Sequence, residues 1–553
     1  MKGTAKHTAL LVILLLMVSL PALISGEKNA KVDKLFAQWD KPDSPGCSLA
    51  VIENGKIVYE RGYGLANLEH NIPITPDTVF YIGSLSKQFV AMCIVLLAKQ
   101  GKLSLDDNIR TYIPEIPEYS APITIRHLIL HTSGLRDYLT LEDLAGIPLG
   151  FNHKNDVLEL ISRQNELNFS PGEEYLYSNS GYFLLGVIVE RASGKSVREF
   201  ADTHIFKPLG MKNSHFHDDY TMLIKNRASG YYPEGKGKYK NFISTFDCVG
   251  SGGLYTSVRD LYLWDQNFSH KKIGGKEVID LMHTTGTLNS GKKIDYAFAL
   301  LLSSYKGLKT VSHGGALGGY RSAMVRFPEQ NFSVICLANL SSFNPTKLCY
   351  EVADIYLSHK FKEEEKPGKK ATFISLPKKK LQEKVGTYID PKKGTLGKIS
   401  LRGNSLVLEV SGDTYQLGAV SETEFRTMDA PTEAVVTFEK QEGKPIVLHI
   451  LQEGESPETY ETCVLAPPAP DELKEYSGDF SSQELQVTYT LSLKDGKLYF
   501  THKNAPETPL QPAIKDMFTV RGLQVRFIRD EEEKISGFSL DAGRVRNIKF
   551  FKK

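Results

Sequence analysis

The fold of this chain turns on the stretch Gly83-Ser84-Leu85-Ser86-Lys87 and the apolar run that follows it. From Ser84 through Leu97, the residues Phe89, Met92, Cys93, Val95 and Leu96 fall on one broad apolar face, the spacing of an amphipathic helix. A helix is therefore predicted to open at Ser84. Its hydroxyl then faces the positive end of the helix dipole, and Lys87 stands one turn further along the same face. A neutral Lys87 amine would take the hydroxyl proton, and a charged one would stabilise the alkoxide. The plain alternative is a capping serine beside a surface lysine, because Ser-x-x-Lys arises about twice by chance in a chain this long.

Upstream of this stretch, Cys47 to Ile52 and Lys56 to Glu60 alternate around Glu53-Asn54-Gly55, which predicts a β-hairpin. Downstream, helices are predicted for Ile125 to Leu130, Tyr182 to Arg191, Ser196 to Ile205 and Ser257 to Phe268. Strands are predicted for Ala297 to Ser304, Lys309 to Ser312, Arg321 to Phe327 and Ser333 to Asn339. Strand, helical middle, then strands predict an α/β body whose last strands join the first hairpin in one antiparallel sheet.

A chain of 553 residues exceeds one hydrophobic core. Charged Lys360 to Lys370, with Pro367-Gly368, reads as a linker. Beyond it, Val385-Gly386-Thr387-Tyr388 answers Ser477-Gly478-Asp479-Phe480, and Ile399 to Leu408 answers Leu491 to Phe500, both at an offset of 92 positions (386 to 478, 399 to 491). Two similar all-β domains follow, and a small closed barrel is the natural way to remove their exposed edges. The expected order is a signal peptide at 1–26, a hydrolase body at 27–362, a linker at 363–376 and β-barrels at 377–465 and 466–553.

The beginning of the chain has Lys2 and Lys6, an apolar run from Ala9 to Leu20, then Pro21 and small residues to Ser25-Gly26. That pattern predicts an export signal and a periplasmic or extracellular protein. The alternative is an uncleaved anchor, since 8–26 carries no charge. With 67 basic against 65 acidic residues, no broad field attracts nucleic acid, and the substrate must be recognised locally. Six widely spaced cysteines (Cys47, Cys93, Cys248, Cys336, Cys349 and Cys463) suggest buried small side chains rather than a disulfide framework or zinc site.

Two further clusters carry chemistry. In Tyr175-Leu176-Tyr177-Ser178-Asn179-Ser180-Gly181-Tyr182, Tyr177 offers a phenolic acid or base, and Asn179 an amide to hold Lys87 and a substrate carbonyl. In His313-Gly314-Gly315-Ala316, the glycines let a strand edge approach the substrate, and the Ala316 N–H would pair with that of Ser84 as an oxyanion hole. His215-Phe216-His217-Asp218-Asp219 lacks spaced partner ligands for a metal. His127 and His131 lack the glutamate of H-E-x-x-H and read as structural.

Ser84-x-x-Lys87, Tyr177-Ser178-Asn179 and His313-Gly314-Gly315, in this order, resemble the three motifs of class C β-lactamase-like serine hydrolases and penicillin-binding proteins. The likeness covers residues 30 to 360 and extends to Ile123-Thr124-Ile125-Arg126-His127-Leu128-Ile129-Leu130-His131-Thr132-Ser133-Gly134-Leu135, Pro208-Leu209-Gly210-Met211 and Ser251-Gly252-Gly253-Leu254. It implies a β-lactamase/DD-peptidase-like body, an antiparallel sheet with helices and a helical subdomain. It also implies Ser84, Lys87 and Tyr177 as catalytic residues, with Asn179, His313, Gly315 and Ala316 for substrate and oxyanion, and no metal or cofactor. His313 departs from the lysine of β-lactamases and cell-wall carboxypeptidases and resembles the H-x-G form of D-aminopeptidase and esterase relatives. Together with two lipocalin-like β-domains, this points to a D-aminopeptidase-like peptidase acting on small peptides. The alternatives are an esterase, a β-lactamase or DD-carboxypeptidase, and a non-catalytic sensor or cell-wall-binding protein at the wall or membrane surface.

Overall fold

The computed structural model describes residues 26–361, save 152 and 236, and residues 373–553, save 391–394, 411–412, 429–433, 441–444, 453–457, 465–467, 470 and 502–505. The signal segment and most of the linker therefore lie outside the described residues. The chain divides into two units.

The first unit is built on a six-stranded antiparallel sheet. Its strands are β1 (Cys47–Glu53), β2 (Lys56–Tyr63), β3 (Leu301–Tyr305), β4 (Leu308–Leu317), β5 (Tyr320–Phe327) and β6 (Phe332–Ala338), in the order β3-β4-β5-β6-β1-β2. The first hairpin and the last strands thus join in one sheet, with Cys47 opposite Ala338 and Glu53 opposite Phe332. Asn54 and Gly55, at φ 53° and 75°, form the left-handed turn that the Asn-Gly pair predicts. One face of the sheet packs against a helix over 26–36 and against Pro345–Leu357, burying Phe36, Leu49, Val334, Cys336 and Cys349 together. Five of the six cysteines are buried and all six are free, as small apolar side chains would be.

Two of the sequence expectations need correction. The run Ala297 to Ser304 is extended only from Leu301, because Ala299 takes φ 58° and the Ala297 N–H bonds to the Leu300 carbonyl in a tight reversal. Ser84 does not open an α-helix. It sits in a single 3-10 turn, Gly83–Ser86, and the α-helix α1 begins at Lys87 and runs to Lys99.

The second unit contains two barrels. Eight strands from Gly386–Ile389 to Glu458–Cys463 close on themselves. A nine-stranded sheet from Gly478–Ser482 to Val545–Lys552 ends on two consecutive strands, Thr508–Pro509 and Gln511–Ile514, which continue one another across Leu510. The repeated positions are the inward-facing ones: Tyr388 and Phe480, Ile399 and Leu491, Leu406 and Leu498, Leu408 and Phe500 are all buried. Each barrel spends its interior on such side chains. In the second, Tyr476, Phe480, Phe518, Phe527, Phe538 and Phe550 are buried within 7% exposure. Residues 136–147 and 163–168 also belong to this unit.

Candidate active site

Gly83 and Gly315 let two backbones meet. Gly83 has φ 55°, and a Cβ there would lie 2.5 Å from the Ala316 nitrogen. A Cβ on Gly315 would lie 1.9 Å from the Ile82 carbonyl oxygen, which already accepts from the Ser322 hydroxyl at 2.7 Å. The Ser84 turn is thereby pressed against the edge of β4, where the main-chain nitrogens of Ser84 and Ala316 can approach one carbonyl. Ser86 secures the turn by donating to the Gly83 carbonyl at 2.6 Å and accepting from the Leu254 N–H at 3.2 Å.

Lys87 is fully buried. Its Nζ lies 3.0 Å from Ser84 Oγ, 2.9 Å from Asn179 Oδ1 and 2.6 Å from the Ser251 carbonyl oxygen. Asn179 is the first residue of helix α2 (Asn179–Ser193), which packs directly on α1. Two fixed acceptors orient the amine, leaving its third position for the serine. Charged, it donates to all three oxygens; once it has shed a proton it donates to Asn179 and Ser251 and can accept the Ser84 proton. The Nζ also stands 5.0 Å from the centre of the Tyr177 ring, so the loop residue reaches the same pocket.

The third motif approaches Tyr177 from β4, with the His313 and Tyr177 ring centres 6.3 Å apart. His313 is half-buried. Loss of solvent, with the Lys87 charge nearby, pulls its pKa down to about 4, so the ring is neutral near pH 7.

The site therefore unites Ser84, Lys87, Tyr177, Asn179, His313, Gly315 and Ala316, all of which sequence reading names. It also contains Ser251, Tyr296 and His131, to which sequence reading gives no place in the site. Ser251 acts through its carbonyl, a group every residue carries, and its only signal is the glycine pair that follows. His131 adopts φ 57°, and its ring lies 4.2 Å from that of Tyr177 and 4.8 Å from that of Tyr296, centre to centre. His127 does serve structure, accepting the Thr124 N–H in a helix-capping box. His215 and His217 stand with ring centres 5.6 Å apart beside Tyr255, and Asp218 pairs with Arg198 at 3.1 Å.

Comparison with known proteins places these residues in a wider setting. The family model described as Beta-lactamase matches residues 32–352. The chain is 28% identical to penicillin-binding protein 4* of Bacillus subtilis (strain 168) over 79% of its own length and 99% of that protein. It is 29% identical to the D-aminopeptidase of Gluconobacter oxydans (strain 621H), over 57% of this chain and 59% of the relative. Among solved structures, the octameric penicillin-binding protein homologue from Pyrococcus abyssi aligns with a TM-score of 0.55 at 25% identity, covering 79% of this chain and 99% of that one.

Proposed function

The chain belongs to the beta-lactamase family and is a serine hydrolase, and from that premise we propose that it is a peptidase cleaving amide bonds of short peptides, D-amino-acid-containing ones among them. The observation that carries this reading is the buried Lys87 amine held between Asn179 and Ser251 with Ser84 Oγ at 3.0 Å. Ser84 Oγ attacks the carbonyl carbon while its proton passes to Lys87 Nζ. The carbonyl oxygen becomes an oxyanion facing the main-chain N–H groups of Ser84 and Ala316. The proton then passes by way of Tyr177 to the leaving nitrogen as the C–N bond breaks. Water attacks the acyl-serine in the second half-reaction, Lys87 receives its proton, and Ser84 Oγ leaves with one.

The choice of peptides over β-lactams rests on His313. A neutral imidazole stands where a cation would be needed to anchor a substrate carboxylate, and one relative is a D-aminopeptidase. The same feature supports esters as a second substrate class, since an ester needs no charged anchor. Turnover of D- and L-amino-acid p-nitroanilides alongside p-nitrophenyl esters separates the two. Ester cleavage without any anilide cleavage would leave the esterase reading. Silence on both, with no labelling by a fluorophosphonate, would leave the sensor or wall-binding reading. In this reading the segment at 1–26 serves as an export signal, and the activity lies in the periplasm or outside the cell. Among the described residues no helix is long and apolar enough to cross a membrane.

A further inference from the structure

Behind the third motif, a chain of hydrogen bonds links Ser178, His131, Tyr296 and His313. The Ser178 N–H, which can only donate, lies 3.2 Å from His131 Nδ1. Nδ1 therefore carries no proton, and His131 is the neutral tautomer protonated at Nε2. That Nε2 donates to Tyr296 Oη at 3.2 Å. At the far end, His313 Nδ1 lies 2.6 Å from the Gly314 carbonyl, which can only accept. Its proton must therefore sit on Nδ1. Between them, Tyr296 Oη lies 3.1 Å from His313 Nε2. With its pKa drawn down to about 4 by burial, a neutral His313 has only a lone pair to offer there, so Tyr296 can donate to it. Tyr182 is hydrogen-bonded to the same phenol; its own proton goes to the Ile129 carbonyl at 3.0 Å, so its oxygen is a second acceptor beside His313 Nε2 for the Tyr296 proton. Burial holds Tyr296 well above the ordinary phenol range, so it keeps its proton at every working pH.

We propose that Tyr296 sets the charge of the third motif: its hydroxyl occupies His313 Nε2, holds the ring neutral, and so selects against substrates that need a cation for their carboxylate. Tyr296 is a positioning residue that acts through His313, and His131 orients it in turn. The groups facing His313 are Lys87, Tyr177 and Tyr296, with His131 and Tyr182 one step behind. Burial opposes protonation of the ring most and a charged Lys87 next, while the Gly314 carbonyl favours it; the hydrogen bond donated by Tyr296 adds to the opposition by stabilising the unprotonated Nε2. The selectivity half of the proposal rests on the acyl-transfer reading above, whereas the charge half does not.

The test is Tyr296→Phe in the full chain. In histidine-15N-labelled protein, with the resonance assigned by its loss in His313→Gln, the parent His313 shows protonated Nδ1 and bare Nε2, unchanged from about pH 5 to 8. In Tyr296→Phe it titrates inside that range, its pKa raised by about one unit or more. A ring that stays neutral throughout in the variant, or is already cationic near pH 7 in the parent, overturns the proposal. The second readout is the acylation rate by benzylpenicillin, which carries a carboxylate, divided by that for neutral p-nitrophenyl acetate. On going from about pH 7.5 to 5.5 the ratio rises about fivefold in the variant and stays level in the parent. A merely structural Tyr296 lowers both rates alike and leaves the ratio flat, which refutes the selectivity claim. If the parent reacts with neither probe, the acyl-transfer reading falls and the ring signature alone decides.

Discussion

Lys87 donates to the carbonyl of Ser251, 164 positions further along the chain, at 2.6 Å. That bond, with the one to Asn179, turns a flexible lysine into a group with a single direction, aimed at Ser84 Oγ. Lys87→Ala is expected to slow labelling by a fluorophosphonate by on the order of 100- to 10,000-fold, the usual worth of a positioned base. Lys87→Arg should be no better, because a guanidinium stays charged and cannot take the proton. Ser84→Ala should end labelling altogether. Mass spectrometry of the labelled protein checks all three, and a Lys87→Arg enzyme close to the parent rate would remove the base role.

The two adjacent glycines of the third motif should respond oppositely to the same change. A Cβ on Gly315 meets Ile82 O at 1.9 Å and Ser322 Oγ at 2.5 Å, whereas on Gly314 the nearest atoms are Ser322 O at 3.4 Å and Thr346 Oγ1 at 3.6 Å. Gly315→Ala must push the Ser84 turn away from β4, costing about 1 to 3 kcal/mol of stability. Its acylation rate is expected to fall by about 100-fold as the oxyanion donors separate. Gly314→Ala should stay within about 0.5 kcal/mol and near-parent activity. Thermal unfolding and ester kinetics on the pair are the measurement, and equal behaviour of the two would contradict the close approach.

Acid should weaken the fold through His217. Burial first, then the charges of His215 and Arg227, bring its pKa to about 4, with Asp219 pulling the other way. Its folded value lies below its unfolded value near 6.5. The unfolded chain therefore binds more protons between the two, and stability falls as pH drops from about 6.5 to about 4, then levels off. The loss is on the order of 2 kcal/mol once partial screening is allowed for. His217→Gln removes that loss while leaving other acid-sensitive groups in place. Urea midpoints at pH 7 and pH 4.5 should differ less in the variant than in the parent; an unchanged difference would take His217 out of the account.

Much of this was legible because the chemistry is local. Ser84 and Lys87 are one turn apart, Tyr177 and Asn179 are two apart, and the two close backbone approaches demand glycines that stand out at 83 and 315. The barrel repeat was legible for a similar reason: inward positions such as Leu406 and Leu498 must stay apolar in both copies. What escaped is what long-range folding assembles from unremarkable residues. The Ser251 carbonyl has no side-chain signature, and Tyr296 reads as one more aromatic before an apolar run. The apolar run itself, Ala297 to Leu300, looked extended because periodicity cannot register the left-handed Ala299 that turns it.

The buried pair Arg136 and Glu484 was equally invisible, 348 positions apart, and it yields the last expectation. Arg136 Nη1 meets Glu484 Oε1 at 2.8 Å, with side-chain exposures of 0% and 8%. The remaining guanidinium donors reach Gln164 and the carbonyls of Arg546 and Asn547, while Glu484 also accepts the Asn165 N–H at 2.7 Å. Residues 136–147 and 163–168, which sit in sequence between the serine and tyrosine motifs, are thus held within the unit of the second barrel. Removing one partner strands a buried charge, so Glu484→Ala should cost about 3 to 5 kcal/mol. Replacing both, as Arg136→Met with Glu484→Leu, should cost clearly less than the two single changes added. By the same logic, residues 27–362 expressed alone lose the partners of Arg136 and leave buried Tyr138, Leu141 and Leu144 without their unit. Such a fragment should aggregate or melt well below the full chain. A fragment as stable and as active as the whole protein would show that these segments need no barrel.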